Sequence, residues 1–461
     1  RGRSVASERP GATDMRIAVI GAGIVGVTTA YELAAAGHEV TVFERRGSVA
    51  AETSFANAGV VAPGYVTPWA APGMPWKVLR MMLSRHAPVR VRASLDPALL
   101  GWMWRWWRAC RTEVWQANRT RMQRLAVFSR HRLHELTKAL QLEYERESGY
   151  LVLLRSESDL AAARPGLKLL TELGNRFHLV DAPRCRELEP ALNPDTPLHA
   201  GVHLPDDEVG NCRQFAHLLR HEAQKLGARW CFHTEVQRLV PGAQPQVVHR
   251  YMPPAESTQL VIEPASSKND GPATEPAPLE AVSESFDAVV VCAAMGSAEL
   301  LRPLGLRLPL RAVHGYSITA PLRPEDSAAE RAPRAALMDE RYKVAISRIG
   351  QRVRVAGSAE LGGTLEKLDP RALETLYKVL DDWFPGAGRM SQVQRWKGAR
   401  PMLPDGPPVI GASGAEGLWL NLGHGSSGWA LACGSAFALA QVMEGREAPI
   451  PLEGLGVERL R

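Results

Sequence analysis

The sequence predicts an α/β protein of two domains, one around a parallel sheet and one around a mainly antiparallel sheet. Three observations lead there. The chain opens with a strand–helix–strand pattern whose first turn reads Gly21-Ala22-Gly23-Ile24-Val25-Gly26. Residues 306–361 alternate apolar and polar side chains, as half-buried antiparallel strands do. A length of 461 residues exceeds what one compact core usually serves.

In order along the chain, residues 16–20 are an apolar run, an alanine-rich helical stretch continues to about residue 36, Gly37 stops it, and 39–43 is a second strand. Loop-like glycine and proline density fills 56–75. Helical periodicity dominates 75–142, 150–154 reads as a strand and 160–173 as a helix. An amphipathic helix over 215–226 stops at Gly227, before a strand at 228–232. Residues 241–284 are rich in Pro, Ser, Gln and Glu and show little periodicity. They read as a polar surface insertion, a long hairpin with a disordered tip being one form of it. A buried strand over 286–292 turns through Ala293-Ala294-Met295-Gly296-Ser297 into a helix. Strands are expected at 316–319, 342–348 and 352–356, and a helix at 371–384. Last come a strand at 418–421, a glycine-rich turn at 423–428 and a small-residue helix at 429–443. Residues 15–60, 191–300 and 396–461 are then expected to form one domain, and 61–190 with 301–395 the other. Residues 1–14 read as a tag remnant or optional extension.

No run of about 18 apolar residues, enough to span a bilayer, occurs, and the polar start lacks the apolar core of a signal peptide. Cys110, Cys185, Cys212, Cys231, Cys292 and Cys433 form no C-x-x-C pair. That argues against a structural zinc or iron–sulfur site and leaves the reducing cytoplasm as the default compartment. The net charge of +6 is uneven: residues 77–132 hold thirteen basic side chains and two acids, which is +11, so the remainder is −5. A general nucleic-acid binder would not be acidic elsewhere, and no nucleic-acid module motif accompanies the segment. The same segment holds Trp102, Trp104, Trp106, Trp107 and Trp115. On a helix Leu99, Trp102, Met103, Trp106, Trp107 and Cys110 share an apolar face, with Trp104, Arg105, Arg108 and Arg111 opposite. Two readings stay open: a helix lying on anionic lipid, or a packed amphipathic helix with solvated arginines.

A lone G-x-G-x-x-G is weak. Here it follows a strand, opens a helix and precedes a strand ending at Glu44, the context of a dinucleotide site. Gly21 permits the tight turn, Gly23 lets backbone approach a pyrophosphate, and Gly26 brings helix and sheet together. Ile20 to Gly26 thus form a phosphate cradle, with Glu44 placed for ribose hydroxyls and Arg45 beside it. The acid disfavours the extra phosphate of NADP and leaves NAD and FAD open. A second strand–turn–helix, with Gly423, His424, Gly425 and Ser426, lies about four hundred residues on. An elongated cofactor held at both ends explains two such sites, and a helix start favours the anionic reduced flavin.

At this point the sequence resembles the FAD-dependent amine and amino-acid oxidoreductases of the D-amino acid oxidase superfamily, most of all its bacterial D-amino acid dehydrogenases. The resembling stretches are residues 16–23, 52–59, 70–73, 339–343, 398–401, 404–406 and 421–429. The resemblance implies a glutathione-reductase-type FAD domain with a substrate domain carrying an antiparallel sheet. It implies FAD as cofactor and oxidative deamination of D-amino acids, D-alanine among them, to 2-oxo acids and ammonia. Electrons would pass to a membrane quinone or another acceptor instead of dioxygen, with the protein peripheral on the cytoplasmic face of a bacterial inner membrane. It places Ser54, Asn57, Ala58 and Gly59 against the isoalloxazine, and Arg400 of a Gly-x-Arg-Pro motif on the substrate carboxylate. Ala399, where leucine is usual in that motif, is a departure. Tyr316 and Tyr342 read either as carboxylate or pocket contacts or as packed sheet residues. Arg348 reads as a second carboxylate contact or a surface arginine, and His424 as a flavin neighbour or a structural histidine. No Ser/His/Asp triad, metal-spaced His cluster or Walker loop occurs. Four alternatives remain: an oxidase using dioxygen, a glycine, D-proline or hydroxyproline dehydrogenase, a non-catalytic flavoprotein that recruits a partner, and an NAD-linked dehydrogenase.

Overall fold

The computed structural model describes residues 14–81, 84–92, 96–172, 174–253, 280–323 and 331–460. A six-stranded sheet runs Val409–Ala412, Leu418–Leu422, Ala288–Val291, Arg16–Ile20, Glu39–Phe43, Arg229–Cys231. All pairs are parallel except the first, an antiparallel edge. Ile17 to Ile20 and Ala288 to Val291 are buried on both faces, which is why those strands read as unbroken apolar runs. The helix Ile24–Ala35 is buried nearly all round, between the helices Gly428–Met443 and Cys212–Lys225, so it shows little amphipathic pattern.

The second sheet is larger and mainly antiparallel. Its order is Gln394–Met402, Arg311–Pro321, Arg352–Leu361, Val344–Ile349, Ala336–Asp339, Glu147–Leu154, Ala200–Val209, Val60–Val61. Two short strands, Val89–Val91 and His178–Asp181, pair beside this path. One face packs Tyr316, Ile318, Ile346, Val353 and Val355 against Leu376, Val379 and Trp383 of the helix Pro370–Trp383. Asp369 starts that helix by accepting the Arg371 amide at 2.9 Å. The other face turns toward the parallel-sheet domain.

Several boundaries differ from expectation. Ala200–Val209 and Gln394–Met402 lie in the large sheet, although most of each was expected in the cofactor domain. Helix Thr112–Leu140, expected in the substrate domain, sends Met122, Leu125, Ala126, Leu133 and Leu136 into the core around Ile24–Ala35. The ends of the polar segment join a sheet: Gln246–Tyr251 and Val282–Ser285 pair antiparallel beside Thr234–Val240, and residues 254–279 between them lie outside the described residues. Residues 1–13 of the expected extension lie outside them as well.

The basic segment divides. Arg132 clasps Glu32 at 2.8 Å and Arg130 meets Asp207 at 3.0 Å, so these charges serve packing. Helices Met74–Met81 and Pro97–Ala109 stay at the surface. Trp107, expected on the apolar face with buried Trp102, is 54% exposed and stacks on Trp104, from the opposite face, with ring centroids 5.0 Å apart. No helix among the described residues is long and apolar enough to cross a membrane.

Candidate active site

The turns at Gly21, Glu44, Cys292 and Gly423 follow the carboxyl ends of parallel strands, where open α/β sheets bind ligands. The chain itself demands two of the three early glycines. Gly21 has φ +100°, and a Cβ at Gly26 would run into the Gly21 carbonyl. Gly23 is different: a Cβ there would meet only Ser54 Oγ, at 3.7 Å. Among the described residues nothing requires glycine at 23, so the space is explained by a ligand that passes close to the backbone, as a pyrophosphate does.

Not every amide of this turn faces that space. The Ala22 amide donates to Glu44 at 2.7 Å and the Ile24 amide to Ser54 Oγ at 3.2 Å. Among the described residues no acceptor pairs with the amides of Gly23, Val25 or Gly26, and these remain for phosphate oxygens. Ile20 is buried in its strand. Glu44 also accepts the Arg46 amide at 2.8 Å; burial raises its pKa, and the two amides pull it back. Each carboxylate oxygen keeps a lone pair for a ribose hydroxyl. Arg45 departs from its expected role, since Glu52 holds its guanidinium through two bonds of 2.9 and 2.8 Å.

The second glycine turn is forced by its neighbours. Gly423 (φ +77°) and Gly425 (φ +58°) sit where a Cβ would press on Leu403 and Met402. His424 is buried and shares a 3.0 Å hydrogen bond with Ser435 of the following helix, and burial pushes its pKa down to about 3. It is a neutral pin inside the turn, the structural of its two readings. Ser426 is exposed, and the helix start behind it has no capping side chain.

Segment 53–59 crosses between the domains and is stitched to four strands of the large sheet. Thr53 Oγ1 donates to Ala399 O at 2.6 Å, Ser317 Oγ to Ala56 O at 2.8 Å, and Ser347 Oγ to Ala58 O at 2.7 Å. Arg354 Nη1 donates to Asn57 O at 3.1 Å, while Asn57 Oδ1 takes the Gly59 amide at 3.0 Å. Sequence reasoning missed Ser317, Ser347 and Arg354. Their signal was alternation: each sits one residue out of phase with the apolar face.

That phase also corrects three expectations. Tyr316 points to the helix-covered face and bonds Glu360, with burial first among the causes that raise its pKa. Tyr342 lies in the turn before Val344–Ile349, its ring flanked by Arg155 and Lys378. Arg348 stands one residue out of phase with Ser347 and donates to Gly350 O at 3.2 Å. None of the three shares the face that carries Ser317 and Ser347.

Arg400 stands in a different setting. It projects from Gln394–Met402 over Gly315, where any Cβ would strike its guanidinium, and its Nη1 donates to Ser358 O at 2.9 Å. Burial lowers its pKa to about 10. Among the described residues no carboxylate lies within ion-pair distance of Arg400, nor of buried Arg354. Two cations without acids among the described residues, Arg354 buried and Arg400 part-buried, thus flank the segment that the sequence places against the cofactor, a setting that calls for an anion.

The comparisons with known proteins agree with this geometry. The family model described as FAD dependent oxidoreductase matches residues 16–442. A D-amino acid dehydrogenase of Rhizorhabdus wittichii is 41% identical over 447 residues, covering 96% of this chain and 100% of that protein. One from Cereibacter sphaeroides is 43% identical over 448 residues, covering 96% and 95%. Among solved structures, glycine oxidase from Geobacillus kaustophilus has a TM-score of 0.70 at 18% identity, covering 96% and 98%. L-proline dehydrogenase from P. horikoshii has a TM-score of 0.66 at 15% identity, covering 97% and 98%; these two likenesses speak to the fold alone. With a cradle for the pyrophosphate at Gly23 and a match along nearly its whole length, the chain belongs to the family of FAD-dependent oxidoreductases.

Proposed function

We propose that the protein is an FAD-dependent D-amino acid dehydrogenase, converting a D-amino acid to its 2-oxo acid and ammonia and passing electrons to a quinone or similar acceptor. The observation that carries this reading is Arg400, a part-buried guanidinium with no acidic partner among the described residues, on the strand beside segment 53–59. The printed names of relatives covered almost end to end support it. When bound, FAD supplies the acceptor for a hydride from the amine-bearing carbon. Arg400 fixes the substrate carboxylate in direction as well as position, because a guanidinium grips two oxygens at once. Two of the titratable residues singled out in the sequence are engaged elsewhere: His424 is buried against Ser435 and Tyr316 is bonded to Glu360. The substrate amine therefore has to become neutral on entry, and two nearby cations, Arg400 and Arg354, favour loss of its ammonium proton.

The surface around Trp76, Trp104 and Trp107, 72, 57 and 54% exposed, supports docking on an anionic membrane, with Lys77, Arg80, Arg105, Arg108 and Arg111 around it. Anaerobic D-alanine should bleach the flavin and L-alanine should not. Reoxidation by a quinone analogue should then outpace reoxidation by air. Faster reoxidation by air would make the protein an oxidase, and no bleaching by any D-amino acid would end the reading.

A further inference from the structure

The strand Arg352–Leu361 is irregular where it passes Arg400. Its pairing with Arg311–Pro321 steps from Tyr316↔Gly357 to His314↔Glu360, so Ser358 and Ala359 stand opposite the single residue Gly315. This is a β-bulge. Ser358, its first residue, has φ +57°, a left-handed conformation that disfavours any residue with a Cβ and makes glycine the usual occupant. The bulge turns the Ser358 carbonyl to Arg400 Nη1, and bare Gly315 opposite leaves space for the guanidinium. Ser358 is also 5% exposed, and its Oγ has no hydrogen-bond partner among the described residues. Glycine would remove both the backbone strain and the orphaned hydroxyl. A serine kept under two penalties, in contact with a part-buried arginine that no acid among the described residues pairs, needs a ligand to account for it.

We propose that Ser358 belongs to the carboxylate seat: its carbonyl fixes the plane of the Arg400 guanidinium, and its hydroxyl donates to the carboxylate that Arg400 grips. The inference rests on the reading of Arg400 as the carboxylate clamp. A carboxylate has about four lone-pair sites; two face the guanidinium fork, and a third can take the serine hydroxyl. Binding then satisfies the orphaned donor and the unpaired cation together.

The test is titration of the holoenzyme with propionate, which has the carboxylate of D-alanine without its amine, followed by the flavin spectrum. Ser358→Ala keeps the strained backbone and loses Oγ; Ser358→Gly relieves the strain and loses Oγ. Both should weaken propionate about tenfold or more, as loss of a hydrogen bond to a charged group does, and raise KM for D-alanine by a similar factor. FAD content and kcat should stay near wild type. Wild-type propionate affinity in Ser358→Gly, which has no reason to misfold, overturns the proposal. So does a fall in FAD content or kcat without a change in propionate affinity, which would mark a structural role. Arg400→Ala separates the two readings. If it binds propionate normally, the clamp itself falls; if it loses propionate while both Ser358 variants keep it, only the serine does.

Discussion

At the scale of single residues, the site is defined by what its charges lack. Arg354 is buried and Arg400 part-buried, with carbonyl and hydroxyl partners but no acid among the described residues, and such an arrangement is completed only when an anion arrives. Arg400→Ala should leave FAD bound and cut kcat/KM for D-alanine at least about 30-fold, since truncating one side of a buried charge pair costs about 2–5 kcal/mol. Arg400→Lys should recover little, because an ammonium is a point charge without the planar fork. Steady-state kinetics with matched flavin content checks both; a near-normal value for Arg400→Ala removes it from the role. The buried histidines make a separate prediction. Burial lowers His424 to about 3 and His314 to about 4, from an ordinary value of 6.5. Between those limits the unfolded chain binds more protons than the folded one. Stability is therefore fully present above about pH 6.5 and falls by about 1.4 kcal/mol per pH unit for each group as pH drops. His424→Gln removes one of the two, so the decline of Tm below about pH 6.5 should be shallower than in wild type. Identical slopes would show that His424 is protonated in the fold.

The element that matters most is the crossing segment at 53–59. Its carbonyls are held by hydroxyls and a guanidinium from strands distant in sequence, so cofactor affinity depends on the substrate sheet. Replacing Ser317 and Ser347 together by alanine removes two such bonds, each worth about 1 kcal/mol, and should weaken FAD about 10- to 30-fold in a dialysis or fluorescence titration. Gly23→Val should prevent flavin retention outright, because the side chain would fill the cradle and not disturb its walls; a yellow Gly23→Val protein would contradict the assignment. The contrast between these two features explains what was legible. The glycine turn, its helix and Glu44 lie within one local unit, so spacing alone revealed them. Arg400 was legible through the family motif. Ser317, Tyr316, Ser347 and Arg348 could be sorted only by strand face, and the bulge at Ser358 interrupts that alternation. A tyrosine in an apolar phase looks like a ligand contact until the helix covering it is known. The same holds for Arg45, whose partner Glu52 lies across a turn, and for the strand Gln394–Met402, whose Arg-, Lys- and Gly-rich sequence does not read as a strand.

For the molecule as a whole, the distribution of charge sorts into two uses. Arg124, Arg130 and Arg132 on Thr112–Leu140 fasten the helix to its neighbours, whereas the bases around Trp104 and Trp107 surround exposed aromatics. Flotation with anionic vesicles should recover the protein and lose it at high salt, and Trp104→Ala with Trp107→Ala should lower recovery even at low salt. Equal recovery on neutral vesicles would argue against electrostatic docking. A last consequence comes from the backbone bridge between Met402 and His424, by which the strand carrying Arg400 touches the second glycine turn. Thr112–Leu140, seated in the first core, ties the two halves a second time. Heating should accordingly release the yellow colour and destroy the tertiary near-UV signal at one temperature, as a single calorimetric peak, instead of shedding one lobe ahead of the other.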